Sequence, residues 1–146
     1  MHSVSSKANQ PLKSIEEIAR YVFLTSAGMN MEAFEKVLAY CADDILMDWP
    51  YRAPNAPDKI KGKDACRAFF QSVVGLMEFT LTVDNVLVDE RQNTTVLLGH
   101  SKGKNARTGR PYANRYVMIF VFRNGLITEW HEYVNPLAAM AAESTA

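Results

Sequence analysis

Residues 112–136 read YANRYVMIFVFRNGLITEWHEYVNP, and this stretch decides the fold. Two runs rich in β-branched and aromatic residues flank Asn124 and Gly125, a pair that tolerates the positive φ angles of a type I′ turn. The pattern therefore predicts a β-hairpin whose two loop residues are Asn124 and Gly125.

The turn also predicts which side chains share a face of this hairpin. With a two-residue loop, Ile119 lies opposite Trp130 and Val117 lies opposite Glu132, and such cross-strand partners share a face. Val121 would join them. The opposite face would carry Tyr116, Met118, Phe120, Phe122, Ile127, His131 and Tyr133. Both faces are largely apolar, which indicates that both are covered.

Glu132 is the first functional candidate that this pattern gives. Its carboxylate would lie beside Trp130 on a covered face of the sheet. A buried acid costs free energy unless it is paired or has a function.

Composition indicates one globular domain without a polyanionic partner. The chain has 146 residues, of which 48% are hydrophobic and 22% are charged, values typical of a folded soluble protein. Sixteen basic residues balance sixteen acidic ones. This balance gives no reason to expect binding to nucleic acid or to an anionic membrane.

The chain divides into three parts. Residues 1–13 contain no apolar core, so they are predicted to be a flexible arm rather than a signal peptide. Residues 14–137 form the single predicted domain, and residues 138–146 form a short, frayed tail. No apolar run approaches the about 20 residues of a membrane-spanning helix, and a cytoplasmic protein is expected.

The two cysteines support that location. Cys41 and Cys66 do not form a CxxC pair, and both fall in predicted helices. The favoured interpretation is two reduced, buried thiols, with a disulfide or a reactive thiol as the alternatives.

Capping signals place three helices. Ser14 and Glu17 form a capping box before a helix over residues 15–27. Asn30 can cap a second helix over residues 31–41. A third helix follows Gly62 and ends near residue 74.

The remaining segments are predicted strands and loops. A short strand over residues 45–49 ends at a proline-rich loop, residues 50–61. Period-two patterns then predict strands over residues 78–88, with a bulge near Asn85, and over residues 94–102. The resulting fold class is α+β, with three helices packed over the concave face of a curved, mostly antiparallel sheet.

Four short motifs, in this order, carry a resemblance to a known superfamily. They are YCADD at residues 40–44, MDWPY at 47–51, GKDA at 62–65 and WHEYVNP at 130–136. Over residues 14–137 the sequence resembles the NTF2-like (cystatin-like cone) superfamily, in its SnoaL-like and ketosteroid-isomerase-like branch. Its ending resembles the phenazine-biosynthesis A/B proteins.

The resemblance implies roles for three residues. Asp48 is similar to the proton-shuttling base that ketosteroid isomerases carry in their first strand, and Tyr21 is similar to their oxyanion-binding tyrosine. The position of their second oxyanion donor falls on Val117 or Met118, neither of which can donate a hydrogen bond. Glu132 resembles the acid/base glutamate of the phenazine proteins and the position of a water-activating acid in limonene-epoxide-hydrolase-like proteins.

Asp48 and Glu132 are therefore expected to share one apolar pocket. There, desolvation and like charge would keep one carboxyl protonated and the other ionised. The structural alternatives make Asp48 an exposed acid at a strand end, Glu132 a rim residue paired with Arg115, and Tyr21 a tyrosine at the edge of the core. The predicted pocket wall consists of Trp130, Trp49, Val117, Ile119, Phe69 and His100.

These residues predict a cofactor-independent acid/base enzyme. Its reaction would be isomerisation, dehydration or cyclisation of a small apolar cyclic molecule such as a steroid, polyketide or terpenoid. One alternative is a non-catalytic ligand-binding or assembly module with the same fold. A weaker one is an epoxide or lactone hydrolase that relies on Glu132 alone.

Partners follow from what the sequence contains and lacks. Three scattered histidines and two separated cysteines do not predict a metal site, and no glycine-rich phosphate loop follows a strand. Met118, Phe120 and Phe122, together with His131, would leave an apolar outer sheet face. A homodimer through that face is therefore expected.

Overall fold

The computed structural model of the protein describes residues 14–144. The predicted arm, residues 1–13, lies outside the described part of the chain. The elements are α1 (Ile15–Thr25), a 3-10 turn (Ser26–Gly28), α2 (Met31–Leu38), β1 (Cys41–Asp48), β2 (Lys59–Lys61), α3 (Lys63–Val73), β3 (Met77–Asp89), β4 (Thr94–Asn105), β5 (Pro111–Arg123), β6 (Leu126–Tyr133) and α4 (Pro136–Glu143).

Helices α1 and α2 begin where their capping residues predict. The Ser14 hydroxyl accepts from the backbone N–H of Glu17 at 3.0 Å, and the Glu17 carboxylate accepts from the N–H of Ser14 at 3.1 Å. Asn30 accepts from the N–H of Ala33 at 2.8 Å. Each bond satisfies a donor that a helix leaves unpaired at its first turn.

Helix α2 is shorter than predicted, and α4 was not predicted at all. The backbone carbonyl of Tyr40 accepts from the N–H of Ile127 at 2.8 Å, so the chain leaves the helix to join the sheet and Cys41 begins β1. Near the C-terminus, Asn135 caps α4 through the N–H of Leu137. The segment predicted to be a frayed tail is therefore helical as far as Glu143.

The six strands form one curved mixed sheet in the order β2-β1-β6-β5-β4-β3. Strand β1 runs parallel to β6, and every other neighbouring pair is antiparallel. This arrangement confirms the predicted α+β class. The predicted bulge in β3 is also present, since its register against β4 shifts between Val83 and Asn85.

The register of the β5–β6 hairpin differs from the prediction. Arg123 pairs with Leu126 as expected, but Val121 then pairs with Glu129, so the ladder skips Thr128. The Thr128 hydroxyl instead donates to the carbonyl of Val121 at 3.1 Å. This bulge adds one residue to β6, and every pair beyond it shifts by one.

The shift reverses the predicted face of β5. Trp130 pairs with Phe120 and Glu132 with Met118. Met118, Phe120 and Phe122 are 4%, 0% and 4% exposed, so they belong to the core instead of the outer face. Val117 and Ile119, predicted to line the pocket, lie on the outer face with His131, because neighbouring side chains on a strand alternate.

Cys41 and Cys66 are unpaired and buried, as the favoured interpretation predicted. Burial raises the pKa of the Cys41 thiol to about 12 and that of the Cys66 thiol to about 11. Both thiols therefore stay protonated near neutral pH, which makes them poor nucleophiles.

Candidate active site

A cavity of about 370 Å³ lies between the helices and the inner face of the sheet. Its wall is almost entirely apolar and aromatic. Strands β3, β5 and β6 supply the sheet side, and the four helices and the loop between β1 and β2 supply the rest. The residues that line it include Phe23, Phe34, Trp49, Arg52, Phe69, Phe70, Phe79, Leu81, Tyr112, Tyr116, Met118, Trp130, Glu132 and Ala139.

Glu132 places a carboxylate in this apolar wall. Its Oε1 accepts a hydrogen bond from the indole Nε1 of Trp130 at 3.1 Å. The Trp49 side chain also donates to Glu132. The two residues, 132 and 130, share the inner face because they are two apart on one strand, as the sequence predicted.

The environment of Glu132 holds its pKa above the ordinary range. Desolvation by the surrounding protein raises the pKa, and the hydrogen bonds from Trp130 and Trp49 oppose that effect only in part. A carboxyl group with a raised pKa accepts a proton more readily when it is ionised and can give one up closer to neutral pH. This is the property required of a general acid/base.

A buried hydroxyl network forms a second polar part of the wall. The Tyr116 hydroxyl donates to Ser101 Oγ at 3.0 Å and lies 3.1 Å from the Tyr112 hydroxyl. Either tyrosine can be the donor in their shared bond; when Tyr116 gives its only hydroxyl hydrogen to Ser101, Tyr112 donates to Tyr116. Asn114 Nδ2 in turn donates to the Tyr112 oxygen at 3.0 Å.

The network supplies neutral donors, because both tyrosines remain protonated. Burial raises the pKa of the Tyr112 and Tyr116 hydroxyls, and the nearby charge of Glu132 adds to that shift. We did not predict this network from the sequence. The signal was available, since Tyr112, Asn114 and Tyr116 alternate along β5 on the same face as Phe120.

Only part of the predicted pocket lies in this cavity. Trp130, Trp49, Phe69 and Glu132 line it, as expected. The expectation that Asp48 shares the cavity is wrong. Strand β1 lies parallel to β6 with Asp48 opposite His131, and this register turns the Asp48 carboxylate to the outer face.

On that face Asp48 belongs to a three-residue cluster. Its Oδ2 lies 2.9 Å from His131 Nδ1, and Glu129 Oε1 lies 2.9 Å from His131 Nε2. Burial lowers the pKa of His131, but the hydrogen bonds and charges of the two carboxylates raise it by more, so the net shift is upward. The imidazolium form, in which both ring nitrogens donate, satisfies both carboxylates.

This cluster predicts a stability that depends on pH. A histidine whose pKa is raised by folding stabilises the protein fully below its unfolded value of about 6.5, and that contribution disappears as the pH rises through the folded pKa. Titration of His131 by NMR should give a pKa above that of a free histidine, and Asp48→Asn should lower it. The unfolding free energy of His131→Gln should fall less between about pH 6 and 8 than that of the parent protein. A folded pKa at or below the free value would contradict this assignment.

Two other predicted pocket residues lie elsewhere. His100 is on the outer face, where Nδ1 lies 2.9 Å from both carboxylate oxygens of Asp84. Tyr21 packs edge-on against Tyr40, with 5.4 Å between the ring centroids, and is not part of the cavity wall. Its helix turns the side chain toward Tyr40, which lies between the end of α2 and the start of β1, so the structure favours the core-edge interpretation of this tyrosine.

Residues 14–144 contain neither a candidate metal-binding cluster nor a candidate membrane-spanning helix. No group of three or more His, Cys, Asp or Glu side chains is arranged there to hold a metal ion. No helix in the same range combines the length and the apolar character that crossing a membrane requires.

The cone of helices over a curved sheet, with a cavity inside it, defines an NTF2-like α+β domain. The model of the SnoaL-like domain matches residues 23–130, and the chain belongs to that family. A similar curated protein is the uncharacterised YesE of Bacillus subtilis (strain 168). It is 24% identical, and the match covers 76% of this chain and 84% of YesE.

Solved structures share the fold over nearly the whole domain. A "putative isomerase" from Bacillus subtilis superposes with a TM-score of 0.80 at 22% identity, covering 88% of this chain and 91% of that one. A "putative SnoaL-like polyketide cyclase" from Jannaschia sp. CCS1 gives 0.72 at 16% identity, covering 94% and 99%. At these identities the comparisons establish the fold.

Proposed function

We propose that this protein is a cofactor-independent enzyme that transfers a proton next to the carbonyl group of a small, apolar cyclic molecule. The reaction class is isomerisation, dehydration or cyclisation. The observation that carries the proposal is Glu132, a carboxylate with a raised pKa in the wall of an otherwise apolar cavity. The isomerase and cyclase descriptions of proteins with the same fold agree with this class.

Glu132 would act as the base and then as the acid. In its ionised form it removes a proton from the carbon next to the carbonyl, and the electron pair moves onto the carbonyl oxygen. The protonated Glu132 then returns that proton to a different atom of the same molecule. No proton or electron is gained or lost overall, so no cofactor is required.

The hydroxyl network would stabilise the enolate oxygen, the role that the family resemblance implies for Tyr21. If Ser101 donates to Tyr116 and Tyr116 donates to Tyr112, the hydrogen of Tyr112 is free to point at the substrate. In this reversed arrangement of donors, the Tyr112 oxygen still accepts a hydrogen bond from Asn114. Hydroxyl donors held by a buried network are a usual means of stabilising developing negative charge.

Hydrogen exchange tests this function without knowledge of the natural substrate. The bicyclic ketone 2-tetralone fits the size class of the cavity, and its acidic carbon-bound hydrogens exchange slowly with D₂O. We expect the protein to accelerate deuterium incorporation, followed by ¹H NMR near pH 7. Saturable binding of the ketone with exchange at the buffer rate would instead support a binding module.

We also propose that a second copy of the chain covers the outer face of the sheet. That face exposes parts of a row of apolar side chains, namely Val96, Leu98, Val117, Ile119 and Val121. These residues replace the aromatic set expected from the sequence, which belongs to the core. An apolar area of this kind is a common site of isologous contact.

Sedimentation velocity at micromolar concentration should show a dimer. Val117→Glu, at the middle of the row, should shift it to a monomer because the contact would bury two unpaired carboxylates. Val88→Glu adds the same charge at the end of β3 and should leave the dimer intact. A monomeric parent protein would overturn this proposal.

A further inference from the structure

The cavity carries one cationic side chain, Arg52, in addition to its one anionic side chain, Glu132. Among the described residues that line the cavity, all others are uncharged. Arg52 belongs to the loop between β1 and β2, and its side chain is 39% exposed. A charge that is partly exposed at a cavity wall marks the side where the cavity meets solvent.

The loop holds Arg52 in this position by local bonds. Its two ends are joined where the N–H of Trp49 donates to the carbonyl of Asp58 at 2.8 Å. The ring of Tyr51 packs edge-on against Tyr133, with 6.0 Å between centroids. Pro50, Pro54 and Pro57 further restrict the loop backbone.

Within residues 14–144, little of the binding capacity of Arg52 is used. Its ion pair in this range, to Asp58, spans 3.9 Å, and the Asp58 side chain is more exposed than that of Arg52. Such a pair contributes little to stability. A guanidinium group has five N–H donors in a planar arrangement that suits carboxylates and other oxyanions.

We infer that the natural ligand carries an anionic group, such as a carboxylate, which Arg52 binds at the cavity mouth. This inference rests on the proposed function, because it names the class of substrate for the same site. The apolar ring would lie against Trp49 and Phe69, which both line the cavity and contact each other with 4.9 Å between ring centroids. The anionic group would stay beside Arg52, at the solvent-exposed end of the cavity.

Two dyes of nearly equal shape test this inference. The anion 1-anilinonaphthalene-8-sulfonate and the neutral N-phenyl-1-naphthylamine share the same aromatic frame. Trp49 and Trp130, the two tryptophans of the sequence, both line the cavity, so quenching of tryptophan fluorescence reports its occupancy. At low ionic strength we expect the anion to bind more tightly than the neutral dye.

The variant Arg52→Gln should weaken binding of the anion by about three- to tenfold and leave the neutral dye unchanged, since a half-exposed charge pair is partly screened. Arg52→Lys should keep part of the preference. Arg115→Gln removes one positive charge from the outer face and should affect neither dye. Equal loss of both dyes with Arg52→Gln, or loss of the anion with Arg115→Gln, would overturn the inference.

The test of anion binding can be distinguished from the test of the proposed reaction. Glu132→Gln should retain anion binding because it leaves Arg52 in place. If Glu132→Gln leaves exchange unchanged while Arg52→Gln selectively loses the anion, the reaction is misassigned but the ligand class holds. If exchange depends on Glu132 and Arg52→Gln has no selective effect, the reaction holds and the ligand class is wrong.

Discussion

Glu132→Gln is expected to slow the exchange of 2-tetralone hydrogens by about 10²- to 10⁴-fold, the usual contribution of a positioned acid/base group. Glutamine has nearly the same shape and keeps an oxygen that can accept from the Trp130 indole. It cannot take up a proton at working pH. The loss should therefore fall on the rate of exchange more than on binding of the ketone.

The same variant is expected to fold at least as well as the parent protein near pH 7. Because folding raises the pKa of Glu132, the folded state binds more protons than the unfolded state between the two pKa values, and stability falls as the pH rises through that interval. Glutamine avoids this penalty. Thermal unfolding at about pH 5 and pH 8 should show the gain at the higher pH.

Asp48→Asn is the matched control, since it removes a carboxylate of the outer face. Asp48 lies 2.9 Å from His131 and does not line the cavity. We expect its exchange rate to remain within a fewfold of the parent rate. A large loss with Asp48→Asn and none with Glu132→Gln would assign the chemistry to the opposite face of the sheet.

Local signals in the sequence were sufficient for much of the fold. The hydrogen-bonding side chains of Ser14 and Asn30 mark helix starts, and both act as predicted. Asn124 and Gly125 adopt positive φ angles of 54° and 77°, as a type I′ turn requires. Each signal depends on bonds within a few residues, which is why it can be read without the tertiary structure.

The bulge at Thr128 could not be read in the same way. Threonine is common in strands, and both faces of this hairpin are apolar, so an extra residue leaves no visible break in the pattern. The prediction that Trp130 and Glu132 share a face survives, because both follow the bulge. The prediction that Val117 and Ile119 share this face is wrong. The bulge lies between the turn and Trp130, so the pairing of Trp130 and Glu132 with β5 shifts by one residue.

In the candidate site, too, the features that depend on tertiary structure could not be predicted from the sequence. The position of Asp48 depends on how β1 aligns with β6, two strands that are distant in sequence, and no local pattern reports that alignment. Arg52 lies in a proline-rich loop without periodicity, so its approach to the cavity could not be anticipated. Long-range pairing and loop conformation are tertiary properties, which explains why the resemblance misplaced one carboxylate and missed a cation.

Phe120→Ala is expected to cause the largest loss of stability, about 3–5 kcal/mol, the range for removing a large side chain from a core. Phe120 is completely buried and packs edge-on against Trp130, with 5.2 Å between ring centroids. Urea unfolding followed by circular dichroism would measure the loss. A cavity here would also loosen the wall that supports Trp130 and, through it, Glu132.

Ile119→Ala, one residue away, is the control that tests the register itself. Ile119 lies half-buried on the outer face, so truncating it should cost on the order of 1–2 kcal/mol by loss of partly buried apolar area. Unfolding at two protein concentrations separates any contribution from dimer contacts. In a hairpin without the bulge, Ile119 would lie opposite Trp130 in the core and Phe120 would face outward. Ile119→Ala would then lower the unfolding free energy more than Phe120→Ala. That result would also place the cavity wall on the other face of β5.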